Sequence, residues 1–181
     1  MSALSREREM MREELKAKYQ ELGITDKMIE ACKLPFQVEP EDLIEAGLDY
    51  YGRKQKLAVN ANEAWIKMKT AAKNDGLNIQ IVSGFRSIEY QCGIISRKLS
   101  EGQRIQQILL VNAIPGFSEH HTGRAVDLHS GEGTPLDAAF ESEPAFFWLI
   151  QNAEKFNFFL SYPKDNSEGI IYEPWHWCYQ D

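Results

Sequence analysis

Cysteine is scarce in this sequence: Cys32, Cys92 and Cys178 are the whole complement among 181 residues. An odd number of thiols without CxxC spacing excludes a disulfide framework as the basis of the fold and points to reduced thiols, as in a cytosol. Long apolar runs are missing too, and no segment approaches the roughly 20 residues that span a bilayer. Residues 1–18 are charged throughout and lack the apolar core of a secretory leader, so the expected location is cytoplasmic, or periplasmic if a leader precedes this start. Positive charge is in deficit, with 20 Lys and Arg against 27 Asp and Glu and a net charge of −7. No basic patch dominates, which argues against nucleic acid as a partner. Repeats, low-complexity tracts and Gly/Ser-rich linkers are absent, and the expectation is one domain over residues 1–181.

A chain of this size with 43% hydrophobic residues is expected to bury about two-thirds of its unfolded surface. Residues 4–22 carry Leu4, Met11, Leu15, Tyr19 and Leu22 amid dense charge, the pattern of an amphipathic helix closed by Gly23. Thr25 caps a second helix that runs to about Lys33, before Pro35. Residues 36–58 read as irregular with short extended pieces. Ala58 to Lys73 is a helix with Trp65, Met68 and Ala72 on its packing face. Leu77 to Val82 reads as a buried strand that runs into a helix capped by Ser87, with Gln91 in its first turn. Residues 103–112 continue helical. Ser142 is expected to cap a helix that buries Phe146, Phe147, Leu149, Ile150 and Phe156. Three strands should follow, at Phe158–Tyr162, Ile170–Tyr172 and Trp175–Tyr179. The fold class is therefore α+β, with a small, mostly antiparallel sheet flanked by helices.

The chemistry concentrates in Ser118-Glu119-His120-His121-Thr122-Gly123-Arg124-Ala125-Val126-Asp127 and in Glu173-Pro174-Trp175-His176. His120, Asp127 and His176 are the candidate metal ligands. Two imidazoles and a carboxylate suit Zn2+ with its fourth position open to water, the pattern of catalytic rather than structural sites. On a straight helix His120 and Asp127 would stand about 10 Å apart along the axis, too far to share an ion. The chain must turn between them, and Gly123 is the pivot because it takes positive φ at no steric cost. The alternation after it reads as a strand that delivers Asp127. Pro174 excludes a helix interior across Glu173 and His176, so this is not a helical HExxH site. Glu173 is placed to act beside the metal as general base. In an extended segment His121 would point away from the ion, whereas His129 shares a face with Asp127 and is a candidate outer partner.

Ser83-Gly84-Phe85-Arg86-Ser87 with Gln91, then Pro115-Gly116-Phe117-Ser118-Glu119-His120, Thr122-Gly123, Ala125 and Asp127, then Tyr162-Pro163 and Glu173-Pro174-Trp175-His176 resemble the VanY-type D-alanyl-D-alanine carboxypeptidases. These belong to the LAS group of zinc peptidases, which cut peptidoglycan stem peptides. The blocks cover roughly residues 55–180, the expected catalytic core, and residues 1–50 are then an N-terminal helical extension. His121 stands where such proteins often carry Gln, and Cys178 where an Arg often follows the last His. The resemblance implies a LAS/Hedgehog-like fold, a zinc cofactor and a peptidoglycan stem peptide or precursor as partner. It also implies Arg86 as a catalytic and substrate-binding residue, meeting a peptide carboxylate or a developing oxyanion. Ser118 and Gln91 are the further substrate-binding candidates. The expected activity is D,D-carboxypeptidase. An L,D-carboxypeptidase acting on tetrapeptide stems, or a zinc-containing binding domain without turnover, remain alternatives on the same motifs.

Overall fold

The computed structural model describes residues 3–181, with side chains from Glu9 onward; the side chain of Leu4 lies outside the described residues. Helix α1 (Ala3–Glu21) ends at Gly23, whose φ of 70° breaks the helical path. Thr25 accepts a hydrogen bond from the Met28 amide and starts α2 (Asp26–Ala31), which is shorter than expected. The irregular stretch that follows contains a hairpin, β1 (Leu43–Leu48) and β2 (Lys54–Ala58). Its turn is closed by Asp49, whose buried carboxylate accepts from the amides of Tyr51 and Arg53 and from the side chains of Arg53 and Gln55.

Helix α3 (Val59–Asn74) leads into β3 (Gln80–Ser83), which begins three residues later than the alternation suggests. Ser87 caps α4 (Ile88–Ser100) as expected, accepting from the Tyr90 amide. Only Ile105–Ile108 of the next stretch is helical (α5). After β4 (Ala125–His129), α6 (Pro144–Asn152) starts from Glu143 rather than Ser142, because Pro144 occupies the first helical position. Ser142 instead ends a short 3₁₀ turn. Phe146 and Leu149 are buried as expected, but Phe147 and Ile150 are more than half exposed, because α6 packs through a single narrow face. Strands β5 (Phe158–Leu160) and β6 (His176–Tyr179) complete the chain. Ile170–Tyr172 is not a strand; its residues run without ladder partners along the edge of a cleft.

The main sheet is antiparallel with order β3-β4-β6-β5. Its alternation divides two environments. Val126, Leu128 and Trp177 turn into a core with Trp65, Met68, Leu149 and Phe158, which holds α3 and α6 against one face. Asp127 and His176 are direct cross-strand partners in the register, and such partners project to the same face with Cβ atoms about 5 Å apart. A second core joins Tyr19, Leu22, Ile24 and Phe36 to Ile95, Ile108 and Phe117. The Tyr19 hydroxyl donates to the Pro115 carbonyl over 2.7 Å, and the Gln37 amide donates to the Gly116 carbonyl. The N-terminal helices thus brace the loop that enters the histidine turn. No helix among the described residues is long and apolar enough to cross a membrane.

Candidate metal centre and catalytic cleft

The segment carrying His120 is a 3₁₀ turn, Glu119–Thr122, and not extended chain. Ser118 opens it by accepting from the His120 amide, and Gly123 ends it at φ 67°. The reversal throws the chain into β4, so the turn predicted at Gly123 is the one that brings His120 over Asp127. The turn also explains His121, whose ring is fully buried and points away from the ion position. Its Nδ1 lies 2.6 Å from the Arg86 carbonyl and its Nε2 accepts from the Gly116 amide. Burial holds its pKa down at about 4, since protonation would break the second of these bonds.

His120, Asp127 and His176 are buried, and each offers a ligand atom within 4.8 Å of the others. His120 Nδ1 stands 2.7 Å from the Gly84 carbonyl, which can only accept. The proton therefore sits on Nδ1, and the Nε2 lone pair faces Asp127 Oδ2 at 3.1 Å. His176 is fixed from its far side: Nε2 lies 2.9 Å from Glu119 Oε2, while Nδ1 faces Asp127 Oδ1 at 3.0 Å. Glu119 is anchored in turn by the Ser161 hydroxyl, which donates over 2.6 Å. When His176 gives up its Nδ1 proton and keeps the one on Nε2, three acceptor atoms face one space, the arrangement that a cation satisfies. Carboxylates and carbonyls that orient ligating imidazoles through the remote nitrogen are the usual outer partners of metal-binding histidines.

The electrostatics agree. Burial opposes ionisation of Asp127, yet the adjacent imidazoles outweigh it and hold its carboxyl well below the usual range. Burial would also lower His176, but its bonds to Asp127 and Glu119 push it up to about 10. The same pair of carboxylates that draws a proton onto this ring would stabilise a metal ion there. His120 moves the other way, lowered chiefly by burial, which keeps its Nε2 available as a ligand.

The three residues line a cleft of about 300 Å³. Glu173, Arg86, Ser118 and Gln91 line it as well, so the candidate ligands, base and substrate-binding residues reach the same cavity. Glu173 Oε2 lies 3.8 Å from His176 Nδ1, and burial raises its carboxyl to about 7 despite the attraction of His176 and Arg86. Arg86 Nε and Gln91 Oε1 are buried without a hydrogen-bond partner, while Gln91 Nε2 donates to the Ala113 carbonyl. Buried polar atoms left unpaired at a cleft are the groups a ligand would complete. His129 is not an outer partner: its ring packs edge-on against Tyr50 at 4.7 Å. The sequence reading gave Glu119, Tyr162 and Lys98 no role. Tyr162 lies against the His176 ring at 4.8 Å, and Lys98 lines the cleft from α4. Glu119 stands beside His120 and Tyr162 belongs to a quoted block, whereas Lys98 had no local signal.

Residues 54–181 match the family model of VanY, D-alanyl-D-alanine carboxypeptidase, and the chain belongs to that family. It is 37% identical over 155 residues to the putative carboxypeptidase YodJ of Bacillus subtilis, a match covering 81% of this chain and 56% of that protein. The chain therefore spans little more than half the length of that curated relative. The LdcB LD-carboxypeptidase structure is similar with a TM-score of 0.71 and 33% identity, over 80% of this chain and 71% of that one. A mutant of the vancomycin-resistance D,D-pentapeptidase VanY from a VanB-type cassette, solved with Zn(II), is similar with a TM-score of 0.60 and 26% identity, over 81% and 82% of the two chains. These neighbours share the mixed helical and antiparallel fold expected from the sequence.

Proposed function

We propose that this chain is a zinc-dependent D,D-carboxypeptidase that removes the C-terminal D-alanine from peptidoglycan stem peptides, with residues 55–180 as its catalytic core and 1–50 as an N-terminal extension that is helical in α1 and α2 but also supplies strand β1. The observation that carries the reading is the convergence of His120 Nε2, Asp127 and His176 Nδ1 in a cleft that also holds Glu173 and Arg86. Two imidazole nitrogens and one carboxylate are the donor set of catalytic zinc, and these three residues would hold the ion. When bound, zinc supplies a Lewis acid and makes a water more acidic.

Glu173 accepts the proton of the attacking water and delivers it to the amine that leaves. A carboxyl titrating near neutrality suits both halves of that transfer. Arg86 faces the negative charge that develops on the scissile carbonyl oxygen. Its main chain is held on both sides, the amide donating to the His120 carbonyl over 3.1 Å and the carbonyl meeting His121, so the guanidinium needs little reorganisation. Gln91 Oε1 is placed to accept a substrate amide, and Ser118 to donate its hydroxyl hydrogen to a substrate carbonyl or carboxylate.

The LdcB likeness favours a second reading, an L,D-carboxypeptidase acting on tetrapeptide stems. Mass spectrometry of separate penta- and tetrapeptide digests by the zinc-loaded protein tests both. Loss of one D-alanine from the pentapeptide is expected. Cleavage of the tetrapeptide alone would transfer the assignment to the second reading, and cleavage of neither would refute the hydrolase.

A further inference from the structure

We propose that Lys98 anchors the terminal carboxylate of the residue being released, and so makes the cleft select a free chain end. The inference deepens the carboxypeptidase reading and rests on it. Arg86 and Lys98 both line the cleft, and among the described residues neither forms an ion pair. Two cations lining one cavity of about 300 Å³ repel each other, and an anion bound between them lessens that repulsion.

Their charged neighbours separate their tasks. Arg86 precedes α4 and is electrostatically coupled to Glu173 and His120, at the reacting end. Lys98 is coupled to Arg86 and Glu101 instead, and burial together with Arg86 lowers its pKa. On α4, Gln91 and Lys98 are seven residues apart, two turns, which sets them on one face about 10 Å apart along the axis. Both residues line the cleft, so this face of α4 forms part of its wall. A substrate residue spans roughly 3.5 Å of chain, so the carboxylate of a single residue after the scissile bond lies within a few ångströms of the oxyanion that Arg86 serves, and Lys98 is the other Lys or Arg side chain lining the same cleft. A flexible stem with a compact ammonium tip suits a monodentate grip there, while the more rigid guanidinium serves the oxyanion. The ligand class is an alkyl carboxylate at the end of a peptide.

The test compares a peptide ending in D-Ala-D-Ala with its C-terminal amide, using the zinc-loaded wild type, K98M and K98R. The wild type should prefer the acid in kcat/KM by roughly ten- to hundredfold, the range of a charged hydrogen bond. K98M should bring the acid-to-amide ratio close to one, and K98R should restore most of it. A K98M ratio equal to that of the wild type overturns the proposal. Met is as good a helix former as Lys, and the position is only half-buried, so the variant should fold. If K98M nonetheless loses its circular dichroism, K98Q takes its place. Should the wild type cleave neither peptide, the hydrolase reading fails separately. Calorimetric Kd values for D-Ala-D-Ala and its amide then decide: tighter binding of the acid that K98M abolishes supports the anchor, and equal values overturn it.

Discussion

His176 Nε2 and the Glu119 carboxylate stand 2.9 Å apart although 57 positions separate them in the chain. The neighbour of one candidate ligand thereby sets the orientation of another. Because Glu119 can only accept when ionised, it keeps the His176 proton on Nε2 and leaves Nδ1 for a metal.

Replacing Glu119 by Ala should therefore weaken zinc binding by about 10–100-fold. E119Q, which keeps an acceptor oxygen, should lose less. Competition against a colorimetric chelator measures both. Undiminished affinity in the Ala variant would rule out this orienting contact.

The ligands and the base should separate cleanly. H120A is expected to bind substoichiometric zinc, whereas E173A should keep one ion per chain and lose hydrolysis by at least about a hundredfold. Metal analysis alongside peptide turnover distinguishes them. Full zinc content in H120A would remove His120 from the ligand set, and normal turnover by E173A would remove Glu173 as the base.

His121 should make stability fall in acid. Its pKa in the folded protein, about 4, is below the ordinary imidazole value of 6.5, so the unfolded chain binds the proton more readily. The contribution is fully present above about pH 6.5 and is lost as pH falls toward 4, because stability declines wherever the unfolded state takes up more protons. H121Q should show a shallower decline of Tm across that window than the wild type. Parallel Tm–pH curves would contradict this account.

Gly123 should tolerate no side chain. Its φ is 67°, and an added Cβ would meet Leu43 Cδ2 at 2.8 Å and the Ala58 amide nitrogen at 2.9 Å. G123A should cost more than the about 1–2 kcal/mol of a left-handed alanine and lower the Tm by several degrees. Zinc affinity should fall with it, since the turn carries His120. Thermal melts with and without zinc would register both effects, and an unchanged melt would show that the hairpin yields.

Much of this site was legible in one dimension because each part has a local cause. A glycine in a left-handed turn, a proline beside a ligand and a serine before a helix act within a few residues. They placed the turn at Gly123, excluded the helical zinc motif and marked the start of α4. The errors fell where packing outweighs local pattern. Ile170–Tyr172 has strand composition but no neighbouring strand to pair with, and Phe147 and Ile150 were expected inside although α6 buries only one face. His129 alternates correctly with Asp127, yet its ring turns to Tyr50.

The sequence by itself picked out the candidate ligands His120, Asp127 and His176 and the candidate base Glu173, because ligand chemistry is a property of residue type, and its resemblance to a known family added Arg86. Tertiary structure decided which nitrogen of each imidazole is free, through Gly84 and Glu119, and placed Lys98 in the same cleft. Those choices depend on sheet register and on a turn crossing over it. A side chain's partner across tens of residues is set by how the whole core closes, and no local pattern encodes that distance.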